Sequence, residues 1–315
     1  MIMIMSFVSV IIPCRNEKNF ISKCLDSIIE QDYPKYKLEV LVIDGMSEDG
    51  TREIIKDYSG KNSFIKILDN PKKFTPFALN IGIKEAKGEV IVRMDAHAGY
   101  EKDYISKCAF HLIESGADNV GGSIKTLPTK DTLEARAIVH SLSSPFGAAS
   151  DFRVGSKEPK EVDTVFGGCF KKEIFQRVGL FNENLRRSQD MEFNLRIKKA
   201  QGRILLFPDI IVSYYPQATF ENFFKHNLGD GIWSVYPLKF IKTKFKLRHY
   251  IPLIFILTLP LSIWFYIPFS LFFSLEIAIK ENDLRFLFLM PLAFFSRHFG
   301  YGLGSILGAI KILTD

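Results

Sequence analysis

Only four cysteines occur in 315 residues, Cys14, Cys24, Cys108 and Cys169, and no two form a Cys-x-x-Cys pair. That scarcity excludes a disulfide framework and a structural zinc site, and a reducing cytoplasm is the simplest setting. No Gly-x-Gly-x-x-Gly follows the first apolar run, which removes the signature of a dinucleotide oxidoreductase. Met1 to Met5 is apolar, but it has neither a basic lead nor a small-residue cleavage site. It therefore reads as the approach to a strand and not as a signal peptide. A strong excess of one charge is missing too. Lys+Arg 41 against Asp+Glu 35 leaves only +6. Lys239, Lys242, Lys244, Lys246 and Arg248 gather just before a long apolar tail, so this excess points to a membrane surface and not to nucleic acid.

What is present alternates. Phe7 to Ile12, Leu38 to Ile43, Phe64 to Leu68 and Val90 onward are short, β-branched-rich runs of the kind shown by parallel strands buried on both faces. Between them lie helical patterns, with Ile21, Leu25, Ile28 and Ile29 after an N-cap at Asn16, then a segment ending near Tyr58, then Phe74 to Lys87 stopped by Gly88. Further helices are expected over Glu101–Ser115, Asp131–Leu142, Lys171–Val178, from Ser188 to about Ala200, and over Phe220–Tyr236. Strands are expected over Val120–Ile124 and Val162–Phe166, and a long loop, a candidate lid, over Ser143–Lys160. Strand–helix alternation predicts a mostly parallel α/β sheet with right-handed crossovers, whose ligand sits at the carboxyl ends of the strands.

Those ends carry chemistry. Cys14-Arg15-Asn16-Glu17 follows the first strand, Asp44 ends the second, and Arg93, Asp95 and His97 alternate along the fourth. A carboxylate and an imidazole two residues apart suit Mn²⁺ or Mg²⁺ with positions left open for phosphate oxygens. Helix capping by Asp95 is the alternative. Asp190 and Glu192 fall in the first turn of a helix, where the dipole favours acids and where a carboxylate beside a cleft can also act as a general base.

From Tyr250 to Leu275 no charged residue occurs, enough to span a bilayer of about 30 Å, with Pro252, Pro260 and Pro268 as kinks. Phe286 to Leu313 is apolar again, interrupted by Arg297 and His298, and Gly300, Gly302, Gly304 and Gly308 give it a small-residue face for close packing. The expected layout is a catalytic domain over 1–236, a basic juxtamembrane segment over 237–249, and a membrane region over 250–315 with one or two transmembrane helices. By the positive-inside rule the large domain faces the cytoplasm, on the cytoplasmic (inner) cell membrane.

The chain resembles the family 2 glycosyltransferases of the GT-A fold, and among them the membrane-anchored succinoglycan ExoA-like group. The resemblance rests on Val10-Ile11-Ile12-Pro13-Cys14-Arg15-Asn16-Glu17, on Val42 through Thr51 with its Asp44-Gly45-Met46-Ser47-Glu48-Asp49-Gly50 core, on Ala78-Leu79-Asn80-Ile81-Gly82, on Arg93-Met94-Asp95-Ala96-His97 and on Gln189-Asp190. It covers roughly residues 6 to 236.

The resemblance implies a GT-A type Rossmann-like sheet. It implies a nucleotide pocket lined by Pro13, Arg15, Glu17 and Asp44, shaped by Asp49 and Asn80 and reaching Asp95. It further implies a metal held by Asp95 and His97, and Asp190 as catalytic base. His97 stands where the second Asp of the metal motif is usual, and Gln189 where a Glu is usual. No Gln-x-x-Arg-Trp motif of processive synthases occurs, which favours transfer of one sugar. The implied reaction is inverting transfer from a UDP-sugar to a polyprenyl-phosphate-linked glycan. A non-catalytic nucleotide- or lipid-binding membrane protein and a nucleotidyltransferase are the rival readings.

Overall fold

The computed structural model describes residues 6–147, 150–240 and 250–314. In chain order the elements are β1 (Val8–Cys14), α1 (Ile21–Ile29), β2 (Leu38–Asp44), α2 (Thr51–Lys61), β3 (Ile65–Asp69), α3 (Thr75–Glu85), β4 (Val90–Arg93), β5 (Gly99–Tyr100), α4 (Tyr104–Ser115), β6 (Asn119–Thr126), α5 (Leu133–Ser143) and α6 (Asp151–Val154). There follow β7 (Lys160–Glu161), β8 (Cys169–Lys171), α7 (Glu173–Val178), α8 (Gln189–Lys199), β9 (Ile204–Tyr214), α9 (Phe220–Val235), α10 (Ile251–Leu257), α11 (Leu259–Lys280) and α12 (Phe286–Thr314). They form two compact units, one of Met1–Lys125 with Gly155–Tyr214, the other of Thr126–Val154 with Tyr215–Asp315.

In the first unit, the strands among the described residues form one sheet in the order β3-β2-β1-β4-β8-β6-β9-β5, with β7 beside β9. The β3-β2-β1-β4 half is parallel, as the apolar runs predict. All seven residues of β2 are buried, and α1 lays Ile21, Cys24, Leu25 and Ile28 on the sheet at helical spacing. The other half is antiparallel, β8 pairing with both β4 and β6, and β5 and β7 with β9. The sheet is therefore mixed.

Two expectations need correction here, and one strand was missed. Residues 162–166 are not a strand. The chain there turns through Gly167 (φ +67) and Gly168 (φ +102), conformations glycine adopts freely, and only then forms β8. The eleven-residue β9 was not anticipated. Gly88 does not end α3, which stops at Glu85 with Ala86 already extended. Gly88 instead lies against β1, where a Cβ would meet the Phe7 carbonyl oxygen and the Ser9 nitrogen at 2.6 Å.

In the second unit α9 and α12 are joined by a glycine seam. A Cβ on Gly231 would lie 2.1 Å from the Tyr301 carbonyl oxygen, and one on Gly304 2.1 Å from that of Leu228. Gly302 belongs to a different side of α12, against Pro252 and Ile256 of α10. The expected small-residue face thus serves two contacts. The uncharged run from Tyr250 is not one kinked helix, because α10 ends at Leu257 and Thr258 leaves helical geometry before Pro260 opens α11. Helix α11, 22 residues with an 18-residue stretch of mean hydropathy 1.6, is long and apolar enough to cross a membrane, and Leu261, Trp264, Phe265 and Phe272 stand exposed on it. The two polar residues that interrupt α12 turn into the unit. Arg297 donates through Nη1 to Asn227 Oδ1 (3.1 Å) and through Nε to the Gly147 carbonyl, and His298 Nδ1 meets the Tyr266 hydroxyl at 3.0 Å. Lys242, Lys244, Lys246 and Arg248 lie outside the described residues, and Lys239 rests over the Tyr236 ring.

Candidate active site

Parallel pairing aligns the carboxyl ends of β1 and β2, with Cys14 beside Asp44. The chain leaves β1 through Asn16 at φ +55. Asn16 is not a helix cap: its N–H donates to Ser47 Oγ (2.9 Å) and its Oδ1 accepts from the Glu48 N–H (3.0 Å), so it ties the β1 exit to the β2 exit. Asp49 works alongside it. Its Oδ1 accepts from the Thr51 N–H and hydroxyl (3.0 and 2.6 Å), and its Oδ2 from the Lys18 N–H (3.2 Å). The Thr51 hydroxyl bond above all holds this carboxyl below its ordinary range. Arg15, exposed, packs its stem over Gly45, and Pro13 is half-buried.

Asp44 has no exposed surface, so its charge needs partners. It accepts from the Ser47 N–H (3.1 Å), the Ser47 hydroxyl (2.5 Å) and Arg52 Nη1 (2.8 Å), and Arg52 also reaches Asp69 at the end of β3. Sequence reasoning missed Arg52 as a site residue. Its signal was a base in the first turn of the helix after Asp44, facing the strand end.

Asn80 is placed differently from the other candidates. It is 3% exposed, and its amide is fully engaged. Nδ2 donates to the Phe181 carbonyl and to Glu183 Oε1, and Oδ1 accepts from the Phe181 N–H, all at 2.9 Å. It clamps the segment that leads to Asp190.

The strand expected to carry Asp95 and His97 ends at Arg93, and residues 94–98 turn, with the Ala98 N–H on the Asp95 carbonyl (3.2 Å). The alternation carries on past the strand end, Met94 and Ala96 being buried while Asp95 is half-buried and His97 exposed, and local bonds fix the side chains. The Asp95 N–H donates to the Tyr100 hydroxyl (2.6 Å), and Arg93 reaches Asp95 Oδ1 through Nε (3.1 Å) and Nη2 (3.0 Å). His97 Nδ1 lies 3.0 Å from Glu17 Oε1, a bond that joins the β1 exit to the β4 exit and raises the imidazole pKa. Three polar clusters thus meet at one sheet edge. Among the described residues no three His, Cys, Asp or Glu side chains form a metal cage. Asp95 and His97 offer one carboxylate oxygen and one imidazole nitrogen, a donor set that fits Mn²⁺ or Mg²⁺ sharing its remaining positions with phosphates and water.

Asp190 lies in the first turn of α8, after Ser188 in left-handed geometry (φ +58), and its Oδ1 accepts from the Met191 N–H at 2.8 Å. Glu192, the other acid of that turn, is buried and bound by both forks of Arg196 (2.8 Å each), which also donates to the Val178 and Leu180 carbonyls. Its carboxylate is structural, which leaves Asp190 as the turn's available acid.

The glycosyl transferase family 2 model matches residues 9–178. The chain belongs to glycosyl transferase family 2. A relative from Methanococcus voltae, named dolichyl N-acetyl-alpha-D-glucosaminyl phosphate 3-beta-D-2,3-diacetamido-2,3-dideoxy-beta-D-glucuronosyltransferase, is 31% identical over 98% of this chain and 98% of its own. The succinoglycan biosynthesis protein ExoA of Rhizobium meliloti (strain 1021) is 27% identical over 73% of this chain and 74% of its own. Among solved structures, the mannosyltransferase PcManGT of Pyrobaculum calidifontis, in complex with GDP-Man and Mn²⁺, superimposes with a TM-score of 0.67 at 20% identity, over 99% of this chain and 88% of that one. This family 2 glycosyltransferase has the expected GT-A fold, its mixed sheet flanked by helices, and α11 as a candidate membrane anchor.

Proposed function

We propose that this family 2 glycosyltransferase moves a single sugar, with inversion, from a UDP-sugar to a hydroxyl of a polyprenyl-phosphate-linked glycan at the cytoplasmic face of the cell membrane, for surface polysaccharide or lipid-linked glycan synthesis. The observation that carries this reading is the meeting of the Cys14–Glu17, Asp44–Ser47 and Asp95–His97 clusters at the carboxyl ends of β1, β2 and β4.

Each group then has a task. Pro13, Arg15, Glu17 and Asp44 line the base and ribose pocket, with Asp49 holding the turn beside it. Asn80 contributes by fixing the 181–183 segment. Asp95 and His97 would hold a Mn²⁺ or Mg²⁺ ion, which when bound supplies neutralisation of the charge on a departing nucleoside diphosphate. Asp190 takes the proton from the acceptor hydroxyl as that oxygen attacks the anomeric carbon and the nucleoside diphosphate leaves; one displacement inverts the carbon. The apolar surface of α11 and the 250–315 region anchor the enzyme where a lipid-borne acceptor lies. The dolichyl phosphate acceptor in the name of the Methanococcus voltae relative supports that acceptor class.

The experiment is calorimetric binding of UDP, GDP and CDP to the detergent-purified protein, with and without Mn²⁺, followed by transfer from a panel of sugars on the selected nucleotide. Dolichyl N-acetylglucosaminyl phosphate and a lipid-free analogue serve as acceptors. UDP binding that requires Mn²⁺ and disappears in Asp95→Ala is expected. Asp190→Asn should bind nucleotide normally and lose turnover. Retained turnover would remove Asp190 as the base, GDP selection would change the donor class, equal use of the lipid-free acceptor would remove the lipid, and binding without transfer or hydrolysis would favour a non-catalytic protein.

A further inference from the structure

Helix α12 is the spine of the second unit, and its neighbours fall on two sides of it. At about 3.6 residues per turn, Gly300, Gly304 and Gly308, which meet α9, lie on average about 160° around the helix from Gly302, which meets α10. The other contacts sort the same way. Arg297, bonded to Asn227 of α9, and Phe286, touched by Arg136 and His140 of α5, share the α9 side. His298, bonded to Tyr266 of α11, shares the α10 side. The unit is therefore layered, with α5 and α9 on one side of α12 and α10 and α11 on the other.

The layers differ in chemistry. Helices α10 and α11 expose Ile254, Leu261, Trp264, Phe265 and Phe272, and the exposed Phe288 and Leu292 of α12 continue that side. Helix α9 instead exposes an ion pair, Glu221 with Lys225 at 75% and 65%, followed by His226 with Asp230. Helix α5 carries Arg136 and His140, which hold Glu281 just past the end of α11 at 2.6 and 3.4 Å. This arrangement limits how the apolar side can meet lipid. Crossing a bilayer takes about 20 residues, and any such stretch of α12 includes residues 295–305. Helix α9 runs parallel to that stretch, Phe224 beside Gly300 and Leu228 beside Gly304. A crossing α12 would therefore carry Glu221, Lys225 and His226 into hydrocarbon, their exposed sides facing lipid, which is strongly disfavoured. Nor can α11 cross alone. It lies antiparallel along α12, from Ile277 and Ala278 in one cluster with Phe286 and Met290 to Tyr266 at His298.

We propose that the second unit is seated in a single leaflet of the membrane and does not cross it: α10, α11 and the adjoining face of α12 lie along the surface among the acyl chains, and α5 and α9 face water. The proposal rests on the reading of the 250–315 region as the membrane anchor, and it specifies how that anchor engages lipid. Lying in the plane, α11 presents its whole length, about 33 Å, to one leaflet. The link between α11 and α12 and the end of α12 then stay on one side of the bilayer.

The test uses the full chain in sealed membrane vesicles of both orientations. One exposed cysteine is added at a time: Tyr36→Cys in the first unit, Glu221→Cys on α9, Arg285→Cys between α11 and α12, and Thr314→Cys at the end of α12. The native cysteines are buried. A membrane-impermeant maleimide should label all four sites from the same side. Arg285→Cys or Thr314→Cys reacting only from the side opposite Tyr36→Cys would overturn the proposal. Depth gives a second readout, in reconstituted vesicles containing brominated phosphatidylcholines. Trp233→Phe leaves Trp264 as the one tryptophan, and adding Trp264→Phe with Phe272→Trp moves it eight residues along α11. Both positions should be quenched most strongly by bromine at the same acyl depth. A spanning α11 separates them by about 12 Å, and a depth difference of that size would overturn the proposal. Release of the protein by alkaline extraction, with neither tryptophan quenched, would overturn the anchor reading itself; quenching together with labelling from opposite sides would overturn the single-leaflet seating alone.

Discussion

Replacing Asn80 by Asp changes one NH₂ into an oxygen and almost nothing else. In the native clamp the Oδ1 acceptor from the Phe181 N–H survives the change. The other end does not. Where Nδ2 donated to the Phe181 carbonyl and to Glu183, both at 2.9 Å, two acceptors now face a third. Glu183 is exposed and can turn to water, but the Phe181 carbonyl cannot. Losing the bond and leaving a buried acceptor unpaired costs about 2–3 kcal/mol. At about 1.4 kcal/mol per decade, that raises the open population of the 181–185 segment roughly 30- to 140-fold. Hydrogen exchange at the Phe181 and Leu185 amides should accelerate by that factor. Turnover should fall because the segment leads into Asp190, while calorimetric nucleotide affinity should hold. Unchanged exchange with lost nucleotide binding would refute the clamp and make Asn80 a direct nucleotide ligand.

The seam of the second unit makes a packing prediction. Gly304→Val has to move α9 and α12 apart by about 1 Å to relieve a 2.1 Å approach to the Leu228 carbonyl, at a cost of about 1–3 kcal/mol, so the detergent melting temperature should drop; an unchanged one would contradict the contact. All four cysteines are buried, and burial pushes the Cys24 thiol up to about 12, so a thiol reagent at pH 8 should label native protein far more slowly than protein in denaturant; stoichiometric native labelling within minutes would contradict this burial.

The parallel half of the sheet was legible because strands buried on both faces must be apolar throughout, and β1, β2 and β4 carry little else. The antiparallel half was not. Strands β5, β7 and β8 are two or three residues long, too short for periodicity, and their pairing with β9, β4 and β6 depends on residues remote in sequence. Within the site, the convergence of polar strand ends could be anticipated from topology. The bonding could not: spacing distinguishes neither Glu192, taken by Arg196, from Asp190, nor Asn80 as a clamp from Asn80 as a ligand. Arg93 and Asp95, two residues apart at the end of β4, do meet on one face as their spacing suggests.

The second unit is woven from stretches on either side of the first unit's last strands, residues 126–154 and 215–315, with the α9–α12 seam as a principal join. Hydropathy invites a cut near residue 236, as though a soluble enzyme were tethered by a dispensable tail. Such a cut would strip α9 of the helix its glycine is shaped to meet and leave α5 without Phe286, Met290 and Phe294. Truncation would therefore leave the second unit an orphaned half-bundle. For the same reason, α9 and α12 are poorly suited to being exchanged between relatives as separate pieces, and change on one side of the seam constrains change on the other.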